Sequence, residues 1–149
     1  MVKPEPDILL SRIRVSRYHD LSAGHRIVGH SGGCSALHGH NYRITFTVEG
    51  PRLNNLGMLV DFSVIKEKLC TWLDHEWDHR LLLWDRDPIL DRIMDIDDRA
   101  VSVPFNPTAE NMAAYLVNVV GPEQLFNTPV YLVECRVQET RKCSAIYCM

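Results

Sequence analysis

The sequence has no CxxC pair, no long apolar run and no block of basic residues. Its five cysteines are an odd number without paired spacing, which favours reduced thiols over a disulfide framework. No apolar stretch approaches the ~20 residues of a membrane-spanning helix, and the N-terminal residues lack the apolar core of a signal peptide. The sixteen Lys and Arg are scattered along the chain. These absences predict a cytoplasmic protein that binds neither membranes nor nucleic acid.

The chain has 149 residues, of which 23% are charged, and a net charge of -3. This length fits one domain with a substantial hydrophobic core, and no internal repeat divides it. We therefore expect a single domain over residues 1–149.

Two histidines stand two residues apart at the start of a predicted strand. After His38 and His40, apolar and polar residues alternate as far as Glu49, which is the pattern of a half-buried strand. Side chains two apart on a strand face the same side, so both imidazoles can reach one ion. Catalytic zinc sites usually have three protein ligands, and His25 is the best candidate for the third. The two strand histidines alone are equally well explained as exposed residues, but His25 and Cys34 favour a site.

Cys34 follows a glycine-rich loop and precedes His38 by four residues. Beside a metal or cationic groups, such a thiol can become a thiolate that takes a proton or attacks a substrate. Alternatively, Cys34 is a fourth ligand that closes a structural zinc site.

Two Asp-His pairs, Asp74-His75 and Asp78-His79, lie one helical turn apart. An aspartate can fix the tautomer of a histidine and form a proton relay with it. The alternative is a polar helix end whose histidines complement the helix dipole. If the helix continued regularly, His75 and His79 would face the same side, so the spacing does not choose between the pairs.

Helix and strand patterns predict an α+β fold. Asp61 and Thr108 are plausible N-caps of two helices with apolar stripes. Six aspartates over residues 84–99 predict an exposed excursion, and residues 57–60 are expected to form a strand end in a hairpin with the strand from His38. The other predicted strands cover residues 8–18 running on to His25, 100–103, 130–139 and 144–148. This order predicts helices packed on one face of an antiparallel sheet.

Taken together, the motifs resemble the 6-pyruvoyl-tetrahydropterin synthase superfamily. The three-residue spacer between Cys34 and the His38-Gly39-His40 motif is most similar to the bacterial 6-carboxytetrahydropterin synthases of the queuosine pathway. The segments that carry the resemblance are residues 22–26, 34–42, 57–62, 78–79, 107–111 and 137–140.

The resemblance implies a tunnelling fold (T-fold), with a four-stranded antiparallel sheet and two helices packed on one face. It also implies a homohexamer, a dimer of trimers, with active sites at subunit interfaces. The implied activity is that of a zinc-dependent lyase that converts 7,8-dihydroneopterin triphosphate to 6-carboxy-5,6,7,8-tetrahydropterin and releases acetaldehyde and triphosphate. The alternatives are a 6-pyruvoyl-tetrahydropterin synthase, a dihydroneopterin aldolase-type enzyme, or a non-catalytic zinc-stabilised protein that binds pterins or purines.

The resemblance also assigns residue roles. Zinc ligands would be His25, His38 and His40. Cys34 would be the base and Asp78-His79 the proton relay, chosen because the following Arg80 and leucines continue the family pattern. Glu139 would anchor the pterin, and Thr108 and Glu110 would line the ring pocket. The aspartate-rich residues 84–99 have no assigned role.

Overall fold

The structure is a computed structural model that describes residues 12–149. The first part of the strand predicted over residues 8–18 therefore lies outside the described residues. The six strands are β1 (Arg14–His25), β2 (His38–Glu49), β3 (Arg80–Trp84), β4 (Val101–Val103), β5 (Tyr131–Gln138) and β6 (Ser144–Cys148).

Two long helices and one short helix connect these strands. Helix α1 runs through the consecutive segments Phe62–Ile65, Lys66–Cys70 and Thr71–Glu76, the middle one a π-helix. Helix α2 covers Leu90–Ile96. Helix α3 runs through Ala109–Tyr115, the π-helical Leu116–Val120 and Gly121–Gln124. None of the helices within residues 12–149 has the length and apolar character of a membrane span.

The strands form one sheet in the order β4-β3-β1-β2-β5-β6. Strands β1, β2, β5 and β6 are antiparallel neighbours, as predicted, but β3 and β4 extend the sheet in parallel beside β1. The predicted number of four strands is therefore too small. Strand β3 was missed because Leu82 and Leu83 are both fully buried, and a continuous apolar run shows no strand periodicity.

The hydrophobic core lies between one face of the sheet and the two long helices. Alternate residues of β2, such as Ile44 and Phe46, are fully buried, as are Leu69 of α1 and Leu116 of α3. Each such side chain contributes about 1.5–3 kcal/mol on burial. The predicted packing of helices on one face is confirmed.

Both predicted N-caps are confirmed. The Asp61 side chain accepts a hydrogen bond from the Ser63 amide at 2.7 Å, and the Thr108 hydroxyl accepts one from the Asn111 amide at 3.2 Å. These bonds satisfy amides that the helix itself leaves unpaired. The second cap fixes the start of α3 next to the functional site.

One local prediction is wrong. Residues 57–60 form no strand, because the Asn54 side chain accepts hydrogen bonds from the Leu56 and Met58 amides and folds the loop on itself. By contrast, the aspartate-rich residues 84–99 are mostly exposed, as predicted; they contain helix α2, and Asp87 is the buried residue among them.

Candidate functional site

Three histidines converge where β1 ends and β2 begins. His25 and His38 are paired in the antiparallel register, and His40 lies two residues along the same strand. The Nε2 atoms of His25 and His38 are 3.1 Å apart, and ligand atoms of all three histidines lie within 4.8 Å of one another. The predicted trio is thus brought together, and it could hold a metal ion.

Hydrogen bonds orient these rings as metal ligation requires. The carbonyl oxygen of Pro107 lies 2.7 Å from His25 Nδ1, and that of Ala36 lies 2.8 Å from His38 Nδ1. Carbonyls only accept, so each Nδ1 carries the proton and each Nε2 keeps a free lone pair. His40 Nε2 is buried without a hydrogen-bond partner, which fits a ligand atom whose partner is a metal.

Burial has the largest effect on the pKa of His25 and lowers it, against the smaller raising effect of the bond to Pro107. The ring therefore favours the neutral form, which is the form that binds a metal. Burial also raises the pKa of the Tyr42 phenol, whose oxygen lies 3.2 Å from His25 Nε2. Tyr42 is therefore a neutral neighbour of the site.

Glu139 joins the same centre. Its Oε1 lies 3.4 Å from His25 Nε2 and 3.7 Å from His40 Nε2. In the sequence this carboxylate is isolated at the end of a strand, whereas the fold places it against two of the three histidines. A substrate held beside a metal here would meet the Glu139 carboxylate as a hydrogen-bond acceptor.

Cys34 lies on a short 3-10 turn, Gly33–Ser35, and its side chain is exposed. It faces a cavity of about 230 Å³ that is also lined by Thr108, Glu110 and Glu139. The four residues are thus brought around one cavity. In the described part of the chain, the metal-binding group consists of the histidines without Cys34, which argues against the closed structural site.

The two Asp-His pairs differ in the structure. Asp78 Oδ2 lies 2.9 Å from His79 Nδ1, and Asp78 Oδ1 accepts the Ser22 amide hydrogen at 2.9 Å. In contrast, Asp74 Oδ1 lies 2.6 Å from His19 Nε2, a contact with β1. The structure therefore places the Asp78 carboxylate against the ring of His79 and directs Asp74 to His19.

The helix does not continue regularly through both pairs. Helix α1 ends at Glu76, and His79 has a positive φ of 55°, a left-handed conformation that a regular α-helix does not contain. The amide of His79 donates to the Ser22 carbonyl at 2.7 Å, so β1 holds the turn. Burial, the largest effect, raises the pKa of Asp78, but the hydrogen bonds from Ser22 and His79 together outweigh it and lower the pKa.

His79 lines a second cavity of about 680 Å³ together with His38 and His40. The structure thus groups His79 with the strand histidines, and Cys34 with Glu139. Within residues 12–149, the cavity that Cys34 lines is a different one from this His79 cavity.

Two residues that support the site were missed in the sequence. The Asn106 side chain accepts the Val28 amide hydrogen at 3.0 Å and donates to the Val28 carbonyl at 2.9 Å, which clamps the segment between His25 and Cys34. Asp87 Oδ2 lies 2.9 Å from Arg26 Nε, in an ion pair outside hydrogen-bond geometry. Both contacts join residues far apart in the chain, so no local pattern reveals them.

The sequence profile of the 6-pyruvoyl tetrahydropterin synthase family matches residues 14–148. The chain is 33% identical over 133 residues to a 6-carboxy-5,6,7,8-tetrahydropterin synthase of Rickettsia typhi, covering 88% of this chain and 96% of the relative. It is 35% identical over 133 residues to the Bacillus subtilis enzyme of the same name, covering 85% of this chain and 79% of the relative.

Two solved structures are similar in fold. A protein from Wolinella succinogenes superposes with a TM-score of 0.81 at 20% identity, covering 93% of this chain and 98% of that chain. The Plasmodium falciparum 6-pyruvoyl tetrahydropterin synthase superposes with a TM-score of 0.71 at 23% identity, covering 92% and 97%. The predicted T-fold is confirmed, and this chain belongs to the 6-pyruvoyl tetrahydropterin synthase family of enzymes.

Proposed function

We propose that the protein is a zinc-dependent lyase of queuosine biosynthesis. It converts 7,8-dihydroneopterin triphosphate to 6-carboxy-5,6,7,8-tetrahydropterin, taking up one water and releasing acetaldehyde and triphosphate. The observation that carries the proposal is the convergence of three histidines and Glu139 beside a thiol-bearing cavity. The names of the most similar relatives support the choice of product.

His25, His38 and His40 would hold the zinc, because ligand atoms of all three lie within 4.8 Å of one another and backbone carbonyls orient the rings of His25 and His38. When bound, zinc would supply a Lewis acid that polarises a hydroxyl oxygen of the substrate side chain and acidifies the neighbouring C–H. The Glu139 carboxylate would accept two parallel hydrogen bonds from the amino-pyrimidine edge of the pterin. Thr108 and Glu110 would line the ring, since both face the cavity that Glu139 enters.

Cys34 would take a proton from the substrate side chain at its Sγ atom. Its exposed side chain opens onto the cavity of Glu139, so it can approach a substrate that this carboxylate anchors. A thiol that carries out chemistry has this exposure, whereas structural cysteines are buried and inert. A protein that only bound pterins would have no use for the thiol.

His79 would be the second proton carrier, and Asp78 would hold it. The Asp78 carboxylate receives the Nδ1–H of His79, which leaves Nε2 as the atom that exchanges a proton. Because Cys34 and His79 face different cavities of one chain, we propose that the working site combines Cys34 of one subunit with Asp78-His79 of another copy. The assembly expected is the hexamer, and the His79 side chain, 75% exposed in one chain, is available to it.

The test is to incubate the zinc-loaded protein with 7,8-dihydroneopterin triphosphate and to identify the products by mass, with a separate assay for acetaldehyde. The proposal predicts 6-carboxytetrahydropterin and acetaldehyde in equal amounts, and none from the Cys34→Ala variant within the same time. A 6-pyruvoyl product without acetaldehyde, or an aldolase product, would replace the proposed activity with another one. Tight pterin binding without any product would instead support the non-catalytic protein.

A further inference from the structure

The histidine that shares the Cys34 cavity is His30. Within residues 12–149, the side chains around this cavity include His30 but not His79, His38 or His40. His30 is exposed and belongs to the loop between β1 and β2. The roles assigned above to metal ligands and proton carriers do not use it.

The loop that contains His30 determines which nitrogen of its neutral ring carries the proton. The Gly32 amide donates a hydrogen bond to His30 Nδ1 at 2.9 Å. An amide only donates, so Nδ1 is the acceptor and the ring proton of the neutral imidazole is on Nε2. His30 can therefore offer an N–H to its cavity, but its unprotonated nitrogen is already occupied.

The loop also ties His30 to Cys34. The Ile27 amide donates to the Cys34 carbonyl at 2.7 Å, and the His30 amide donates to the Ile27 carbonyl at 3.3 Å. Both residues are thereby anchored to one backbone position. The ring of His30 packs on Gly32, where an added Cβ would lie 3.0 Å from its Cε1 atom.

The other titratable groups around this cavity do not favour a thiolate. Glu110 comes from α3, while Glu139 and Cys143 come from the turn between β5 and β6. The carboxylates of Glu110 and Glu139 oppose a nearby negative charge, and neither Cys143 nor the neutral Tyr42 phenol supplies a positive charge to offset them. Among the titratable side chains facing the cavity, only His30 offers an N–H donor.

We propose that His30 is a positioning residue that donates its Nε2–H to the Cys34 thiolate and holds that sulfur towards the cavity of Glu139. The value of this proposed hydrogen bond for turnover rests on the proposed function. The hydrogen bond can nevertheless be tested separately, because the reactivity of a thiol can be measured without any substrate. A hydrogen bond donated to a thiolate favours this ionised form, which is the nucleophile, over the thiol.

The experiment is alkylation of the zinc-loaded protein by iodoacetamide, with the rate at Cys34 followed by peptide mass spectrometry across about pH 6 to 9. His30→Ala should slow Cys34 alkylation at neutral pH about tenfold, the effect of losing one hydrogen bond to a charged group. Its pH profile should move to higher pH. His30→Gln, which keeps a side-chain N–H, should recover most of the rate, and Gly32→Ala, which displaces the ring, should give an intermediate loss.

The alkylation rate of Cys143, which lines the same cavity, shows whether iodoacetamide enters the cavity more or less easily in a variant. His75→Ala is the control for the loss of an exposed histidine. An unchanged or faster rate at Cys34 in His30→Ala would overturn the proposal, as would a His30→Gln variant as slow as the alanine variant. Equal slowing at Cys34 and Cys143 would also overturn it, because the loop and not the hydrogen bond would then be responsible. If His30→Ala slows Cys34 alkylation as expected but the enzyme forms a different product, only the proposed reaction is rejected.

Discussion

Replacing Asp78 with Asn should slow turnover about 10²–10⁴-fold, the scale for losing a positioned acid or base. The Asp78 carboxylate accepts the Ser22 amide hydrogen through Oδ1 and lies against His79 Nδ1 through Oδ2, each at 2.9 Å. Asn can keep its carbonyl on Ser22, but its amide then presents N–H groups to His79. The ring proton would move from Nδ1 to Nε2, so the atom that should exchange a proton would be blocked.

The Asp78→Asn substitution should also lower the free energy of unfolding, but only modestly. The lost hydrogen bond to a charged group is worth about 1.5–3 kcal/mol, and the 27% exposure of the Asp78 side chain favours the lower end. Because its folded pKa lies below the ordinary 3.8, Asp78 contributes this stability above about pH 4 and loses it as the pH falls through the folded pKa. Urea denaturation should show a difference between wild type and Asp78→Asn at neutral pH that shrinks towards pH 3.

The matched controls are Asp74→Asn, which removes a surface pair with His19, and His75→Ala. Both should turn over at nearly the wild-type rate, since Asp74 contacts His19 and not the site. Steady-state assays that compare the turnover of Asp78→Asn, Asp74→Asn and His75→Ala show which Asp-His pair is the relay. A severe loss in either control together with an active Asp78→Asn enzyme would refute the assignment of the relay to Asp78-His79.

The remaining predictions concern the thiol and the buried ion pair. Cys34→Ala should keep its zinc content while turnover falls about 10²–10⁴-fold, and a loss of zinc measured by elemental analysis would make Cys34 a ligand. Asp87→Ala should cost about 3–5 kcal/mol in urea denaturation, because it leaves the partly buried Arg26 without its counter-charge. Asp85→Ala, at an exposed position in the same segment, is its control, and equal effects of the two would contradict the role of the ion pair.

The sheet was predictable where one face is buried and the other is solvated. In β2 the buried Tyr42, Ile44 and Phe46 alternate with polar residues, so periodicity reveals the strand. Strand β3 carries buried leucines at consecutive positions, and only its parallel pairing with β1 and β4 defines it. Local patterns contain no information about such pairing.

The site was predictable where its geometry is local. The spacing of His38 and His40 on one strand is enough to place both side chains on one face. Local spacing could not choose between the two Asp-His pairs, and the choice of Asp78-His79 rested on the resemblance. In the structure the difference depends on the contact of Asp74 with His19, 55 residues away, and on the end of α1. The grouping of His30 with Cys34 was missed because a glycine-rich loop has no periodicity from which to infer where its side chains point.

The central claim is that the three histidines hold the zinc on which the proposed reaction depends. Its most direct test is to remove the metal with a chelator, to titrate zinc back, and to measure 6-carboxytetrahydropterin formed against zinc bound. Activity should rise in proportion to bound zinc and level off at about one zinc per chain, and a His38→Ala, His40→Ala double variant should gain neither zinc nor activity. Full activity in the metal-free protein, or full zinc occupancy in the double variant, would contradict it.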